Sequence, residues 1–346
     1  MSVTELPIPS HYDSANVVND TRWIDYLGLE ASAESWRAQH NLKARKTDRT
    51  RVCLLVIDAQ NTFCHPSGEL FVAGQSGNGA VEDSQRTVEF IYRNLGILSE
   101  IQCTMDTHRA FHIFFRTYLV NDQGDHPPIM SMITLADIKA GTWKASPQLA
   151  SALGVPNPIA AQAHLEHYAE ELEKKGRYAL TIWPYHAMLG DKGHNLVSGL
   201  AEACFFHAVA RGAQTKFEIK GTNPWTENYS VLGPEVLTDS VGKPIAQRNT
   251  PFIELLLDFD ALIIAGQAKS HCVAWTIDDL LGDITAQDPE LAKKVYLLED
   301  CTSPVVVPGI VDYTSEANAA FDKFKAAGMH VVQSTDPISS WPDIRL

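Results

Sequence analysis

The sequence predicts a three-layer α/β/α sandwich built on a mostly parallel, six-stranded sheet. Two observations carry that fold class. Six short apolar runs have strand length, at 52–58, 101–105, 215–219, 261–266, 295–299 and 329–333, and amphipathic stretches of helical length fall between most of them, as at 79–98, 195–211, 272–281 and 312–327. Strand–helix alternation of this kind calls for a parallel sheet covered on both faces. Gly328 stands where a helix's C-terminal glycine belongs, just ahead of the last run.

Residues 1–50 do not fit the alternation and form an N-terminal extension. They are polar, carry Trp23 and Trp36, and close on the basic run LKARKTDR, which reads as a solvated helix end. The alternating domain occupies 51–346, with an insertion at about 113–180 that is polar and contains proline. Within it, 158–176 reads as a surface helix. Insertions of this length serve as lids or as oligomer contacts. The glycine-rich stretch GQSGNG at 74–79 follows no strand and lacks the GxGxxG spacing, so it is a loop and not a nucleotide cradle.

Composition narrows the function. The chain has 346 residues, 45% of them hydrophobic and 20% charged, which suits a globular protein with a sizeable core. Its formal charge of −14, from 28 basic against 42 acidic residues, supplies no cation excess for nucleic acid or an anionic membrane. No apolar run approaches the ~20 residues that cross a bilayer. The first residues lack the basic and apolar regions of a secretory leader. Six scattered cysteines without a C-x-x-C pair suit a reduced, cytoplasmic protein.

In open α/β sheets the reacting groups collect beyond the carboxyl ends of the strands. The first run ends in Asp58, the second in Asp106 and the third in Lys220, and the fourth is followed by GQAKSHC, with Cys272 at the start of a helix. A helix N-terminus and a nearby ammonium both lower a thiol's pKa, so Cys272 is expected to be anionic near neutrality and to label selectively with iodoacetamide at about pH 6. Asp58 is placed to exchange the thiol proton. Asp106 and His108, two apart on an extended segment, point the same way. With His112 and the distant His186 they offer oxygen and imidazole donors suited to Zn²⁺, Fe²⁺ or Mn²⁺. His11, His40, His126, His164, His167 and His330 have no such company and default to the surface. His65, His194, His207 and His271 lie near these motifs without an assigned role.

Together these residues resemble the cysteine hydrolases of the isochorismatase-like superfamily, and within it the nicotinamidases. Four blocks carry the resemblance: Asp58-Ala59-Gln60-Asn61-Thr62-Phe63-Cys64; Asp106, His108 and His112 with Trp183-Pro184-Tyr185-His186; Lys220 through Pro224 with Tyr229 and Ser230; and Gly266, Ala268, Cys272 and Val273. The similarity spans about 50–112 and 181–335. It implies a triad of Asp58, Lys220 and Cys272, with an oxyanion hole from the backbone N–H groups of Ala268 and Cys272 after a cis peptide. It also implies a divalent metal, zinc by preference, on Asp106, His108 and His186, with His112 as an extra ligand or a support behind one. Phe63 and Trp183 match the aromatic walls around a pyridine ring.

The sequence departs from the family at Thr62 and Ser270, where an acid is common, and at Ala187, where a cysteine is common. The implied activity is hydrolysis of nicotinamide, or a closely similar small aromatic carboxamide, to the acid and ammonia, by a self-associating enzyme. Three other readings compete. One is a superfamily amidase acting on a carbamoyl, maleamate-like or ureido compound. Another is a catalytically silent binding protein using 113–180 as its partner surface, and the third is a metal hydrolase whose thiol is incidental.

Overall fold

Six strands form one all-parallel sheet: β1 (Val52–Ile57), β2 (Leu98–Asp106), β3 (Lys216–Lys220), β4 (Ala261–Gly266), β5 (Val295–Leu298) and β6 (His330–Val332). Their order across the sheet is β3-β2-β1-β4-β5-β6. The chain thus winds outward from β1 in one direction and then returns to wind the other way, which opens a crevice at the carboxyl ends of β1 and β4. The computed structural model describes residues 5–154 and 157–346.

The alternation along β1 shows how both faces are covered. Leu54 and Val56 belong to one apolar core, whereas Cys53, Leu55 and Ile57 belong to the other. A strand buried on both faces reads as a continuous apolar run, which is why VCLLVI was legible. On the first face lie α1 (Tyr26–Gln39), α2 (Gly79–Arg93) and, between β2 and β3, α4 (Ser198–Arg211). On the second lie α3 (Pro158–Lys174), α5 (Thr250–Leu257), α6 (Ala274–Gln287) and α7 (Thr314–Ala326). No helix among the described residues is long and apolar enough to cross a membrane.

Three expectations are corrected. The basic run after α1 is no helix end: α1 stops at Gln39, and the run then makes a short 3₁₀ turn. Its Arg45 pairs with the buried Glu100, and Asp48 takes the Arg211 guanidinium at 2.6 Å. Likewise, α3 is only half a surface helix. It buries Leu165, Tyr168, Ala169 and Leu172, and His164, expected at the surface, is buried with Nε2 at 2.7 Å from the Trp225 carbonyl. The crossover from β3 to β4 contains α5, capped by Asn249 and led by proline, which was not among the expected helices. Its run of apolar residues is too dense for helical periodicity to show.

The insertion ends in Arg177, whose guanidinium lies 3.1 Å from Glu235 and 3.0 Å from Asp279 and 4.0 Å above the Trp275 ring. One half-buried cation thereby ties the insertion to α6 and to the loop after β3, the elements that directly follow Cys272 and Lys220.

Candidate active site

The end of β4 folds across the end of β1. Gly266 makes this approach at φ +113°, where an added Cβ would stand 2.0 Å from the Ile57 carbonyl oxygen, so only glycine fits. The Gln267 N–H then donates to that same oxygen at 2.7 Å, and the Gln267–Ala268 peptide is cis. The turn that follows is a single π-helical turn, Lys269–Val273, leading into α6. Cys272 sits inside this wide turn, above Asp58.

Asp58 itself holds a left-handed conformation, φ 46°, one that Asp tolerates better than most side chains. Thr104 fixes it from both sides, accepting the Asp58 N–H at 3.0 Å and donating its hydroxyl to Oδ1. Oδ2 meets Lys220 Nζ at 2.9 Å. Lys220, at the end of β3, also reaches Asp106 Oδ1 at 3.0 Å, the Asn228 carbonyl at 2.8 Å and Cys272 Sγ at 3.5 Å. The structure therefore brings the three residues expected to form a triad within one another's reach, all of them buried.

The electrostatics differ from the sequence expectation. An ammonium has three N–H donors, and here they go to Asp106 Oδ1 at 3.0 Å, the Asn228 carbonyl at 2.8 Å and Cys272 Sγ at 3.5 Å, while Asp58 Oδ2 makes an ion pair at 2.9 Å. Burial pushes the Cys272 thiol well up; Lys220 acts against that, but the Asp58 and Asp106 charges add to it. Burial thus works against the anionic sulfur expected at neutrality, and the one cation beside it also serves two carboxylates. Burial also raises Asp58, more than Lys220 lowers it. Lys220 stays charged: its burial penalty is outweighed by Asp106 and Asp58.

Asp106 links this cluster to the histidines. Gln60 holds the end of β2 in place, accepting the Asp106 N–H at 2.8 Å and donating to its carbonyl at 2.9 Å. Oδ2 of Asp106 lies 2.7 Å from His108 Nε2 and 3.5 Å from His186 Nε2. Each ring's Nδ1 faces a carbonyl, Gly221 at 3.0 Å for His108 and Pro184 at 2.8 Å for His186, so Nε2 is the nitrogen that each turns toward Asp106. Three ligand atoms thus converge, all within 4.8 Å of one another. This N, N, O set, with each imidazole anchored through its far nitrogen, could hold a divalent metal ion. Gly221, at φ +79°, makes room for it, since a Cβ there would come 2.6 Å from His108 Cε1 and 2.7 Å from Asp106 Oδ1.

His112 stands apart from these three. Its ring packs 5.0 Å from that of His108, but its Nε2 already accepts the Arg109 N–H at 3.1 Å, and burial lowers its pKa to about 3. Its place is beside the donor set, not in it. Two of the departures from the family pattern meet each other: the Thr62 hydroxyl accepts the Ala187 N–H at 3.2 Å. The third, Ser270, accepts the Val305 N–H at 3.0 Å and touches His271 Nδ1 at 2.8 Å.

Phe63, Trp183, Asp106, His186, Lys220 and Cys272 all border one cavity of about 480 Å³, its mouth included. That lies within the size range of small-molecule sites. The Ala268 N–H beside it donates to no protein group among the described residues.

No protein-family model matches the sequence. No curated protein matches it either. Solved structures do: a nicotinamidase/pyrazinamidase from Acinetobacter baumanii superposes with a TM-score of 0.50 at 17% identity, over 84% of this chain and 99% of that one. The chain has the nicotinamidase fold. A yeast nicotinamidase bound to the inhibitor nicotinaldehyde is also similar, at 21% identity over 82% of this chain and 99% of that chain, with a TM-score of 0.48. Within the nicotinamidase fold, as the isochorismatase-like sheet is elaborated here, the strand-end positions picked from sequence face the same crevice.

Among the cavity residues that escaped the sequence reading are Glu227, Tyr229 as a lining group, and His271. Trp183 Nε1 donates to Glu227 Oε1 at 2.8 Å and reaches the Tyr229 hydroxyl at 3.1 Å. Burial pushes the Glu227 carboxyl up to about 8 and, with Arg177 opposing it, Glu235 up to about 7. Both acids bind protons more tightly folded than unfolded, so their contribution to stability is full below about pH 4 and is lost as pH rises through the folded values. The melting temperature should accordingly fall between pH 6 and pH 9, and Glu227→Gln should remove part of that slope. Thermal melts across the range check this; an identical slope in the variant would contradict it.

Proposed function

We propose that the protein is an amidohydrolase that converts nicotinamide, or a closely similar small aromatic carboxamide, to the acid and ammonia through a thioester on Cys272. The observation that carries this reading is the convergence of Asp58, Lys220 and Cys272 on one small cavity bordered by aromatic side chains. Asp58, raised by burial, takes the thiol proton as sulfur adds to the carbonyl carbon. The carbonyl π pair moves to oxygen, where the Ala268 and Cys272 N–H groups stabilise it. Asp58 then passes the proton to the amide nitrogen, the C–N bond breaks and ammonia leaves. Water adds to the thioester, giving its proton to Asp58; the C–S bond breaks and sulfur departs with that proton as the acid is released.

Lys220 holds the two carboxylates and balances charge as sulfur becomes anionic in passing. Phe63 and Trp183 are the walls between which a planar ring lies. Asp106, His108 and His186 would hold a divalent ion, with zinc the first choice, and it would supply Lewis acidity beside the ring. Metal analysis after dialysis should find about one equivalent per chain. His186→Ala should lower its affinity by ~10-fold or more; removing a support behind a ligand alone costs 10–100-fold. Equal retention by the variant would refute the ligand assignment.

The family resemblance implies an enzyme of NAD salvage that acts in the cytoplasm and self-associates. The deciding experiment is ammonia release from nicotinamide, pyrazinamide and non-aromatic amides by metal-analysed protein. Turnover of the aromatic amides supports the reading. Turnover confined to carbamoyl or ureido compounds would replace it with the superfamily alternative.

A further inference from the structure

The cavity carries a polar group that the amide chemistry above leaves idle. Glu227 lies in the loop after β3, is 6% exposed and borders the cavity. Its hydrogen-bond partner is the Trp183 indole N–H, which also reaches the Tyr229 hydroxyl. The cations of the region are committed elsewhere, buried Lys220 to Asp58 and Asp106 and half-buried Arg177 to Glu235 and Asp279; Glu227 makes no ion pair among the described residues. An unpaired buried carboxylate is costly, so this group carries its proton at neutral pH, in line with its upward shift to about 8. Trp183 donates to Oε1, and no hydrogen bond among the described residues holds the other carboxyl oxygen, so the O–H is left to be satisfied. Holding Trp183 in place does not by itself require an acid, because an amide oxygen would accept the indole N–H equally well.

We propose that Glu227 is a specificity-determining residue, donating its carboxyl O–H to an acceptor atom that the substrate carries away from the scissile carboxamide. The substrate class it selects is small planar carboxamides with a second acceptor, such as a further ring nitrogen or an oxo group. A site built to hydrogen-bond one substrate atom discriminates against the analogue that lacks it. This inference rests on the amidase reading of the same cavity.

The test compares nicotinamide with pyrazine-2-, pyrimidine-5- and pyridazine-4-carboxamide, which add one ring nitrogen at different positions. For at least one of them, kcat/KM relative to nicotinamide should fall about tenfold in Glu227→Met, the loss of roughly one buried hydrogen bond. It should stay within about threefold of wild type in Glu227→Gln, which keeps both a donor and the acceptor for Trp183. A support role alone would lower all four amides together and leave every ratio unchanged in Glu227→Met, which overturns the proposal. A Glu227→Gln ratio outside the threefold band also overturns it, and decides the matter if the methionine variant does not fold. The same ratios are read as Kd values on Cys272→Ala protein. If wild type releases no ammonia, the amidase reading fails, and the affinity ratios still judge Glu227.

Discussion

Replacing Cys272 by alanine should abolish ammonia release, by about 10⁴–10⁶-fold as for nucleophiles in comparable catalytic units. The rest of the molecule should stand. The sulfur is a small buried group whose loss costs about 1 kcal/mol of stability. Its nearest polar neighbour, Lys220 at 3.5 Å, keeps its three oxygen partners without it. Asp106, His108 and His186 face one another and not the sulfur, so metal content should be unchanged. The variant separates two of the competing readings: in a metal hydrolase with an incidental thiol it would turn over at nearly the wild-type rate. Activity within tenfold of wild type would therefore remove Cys272 from the chemistry. Labelling offers a parallel check. Because burial raises the thiol, alkylation of Cys272 should be slow at pH 6 and rise with pH, the reverse of what its place near a helix start suggests.

That reversal marks where the sequence stops being readable. Strand ends were legible because a sheet buried on both faces writes each strand as an unbroken apolar run, and parallel winding places every carboxyl end on one rim. Asp58, Asp106, Lys220 and the Cys272 turn could thus be picked by position before any geometry was known. What position cannot state is how one amine divides itself. Asp106 was assigned to the histidines and Lys220 to the thiol, and the fold puts each within reach of its partner. Only the folded chain shows that the two carboxylates share the amine, Oδ1 of Asp106 on Lys220 and Oδ2 toward the imidazoles. Glu227 was missed for a related reason: nothing in TENYS distinguishes an acid that is buried from one that is solvated. The half-buried face of α3 escaped notice because its apolar residues sit among many charges, and its partner surface comes from the distant loop that carries Trp225.

The shared amine makes Lys220→Met the most damaging single change outside the nucleophile. It leaves Asp58 and Asp106 buried with no ammonium, and breaking a buried ion pair from one side costs about 3–5 kcal/mol. The deficit should depend on pH in a defined direction. In the native protein, against the opposing effect of burial, His108 and Lys220 hold Asp106 well below the usual carboxylate range; that contribution is present above pH ~4 and lost only as pH falls through the depressed value. Asp58 is already raised by burial, and without Lys220 it rises further, so the variant loses stability as pH climbs above ~4. Urea midpoints should show a large deficit at pH 7.5 and a smaller one at pH 5. Equal deficits at the two pH values would mean that the carboxylates do not depend on this amine. Activity should fall with it, by at least ~10³-fold, since about 4 kcal/mol of lost stabilisation is about three decades of rate. Arginine should not rescue either property: Lys220 is 4% exposed, and a planar five-donor fork cannot replace a compact ammonium that meets three oxygens and a sulfur in so small a space.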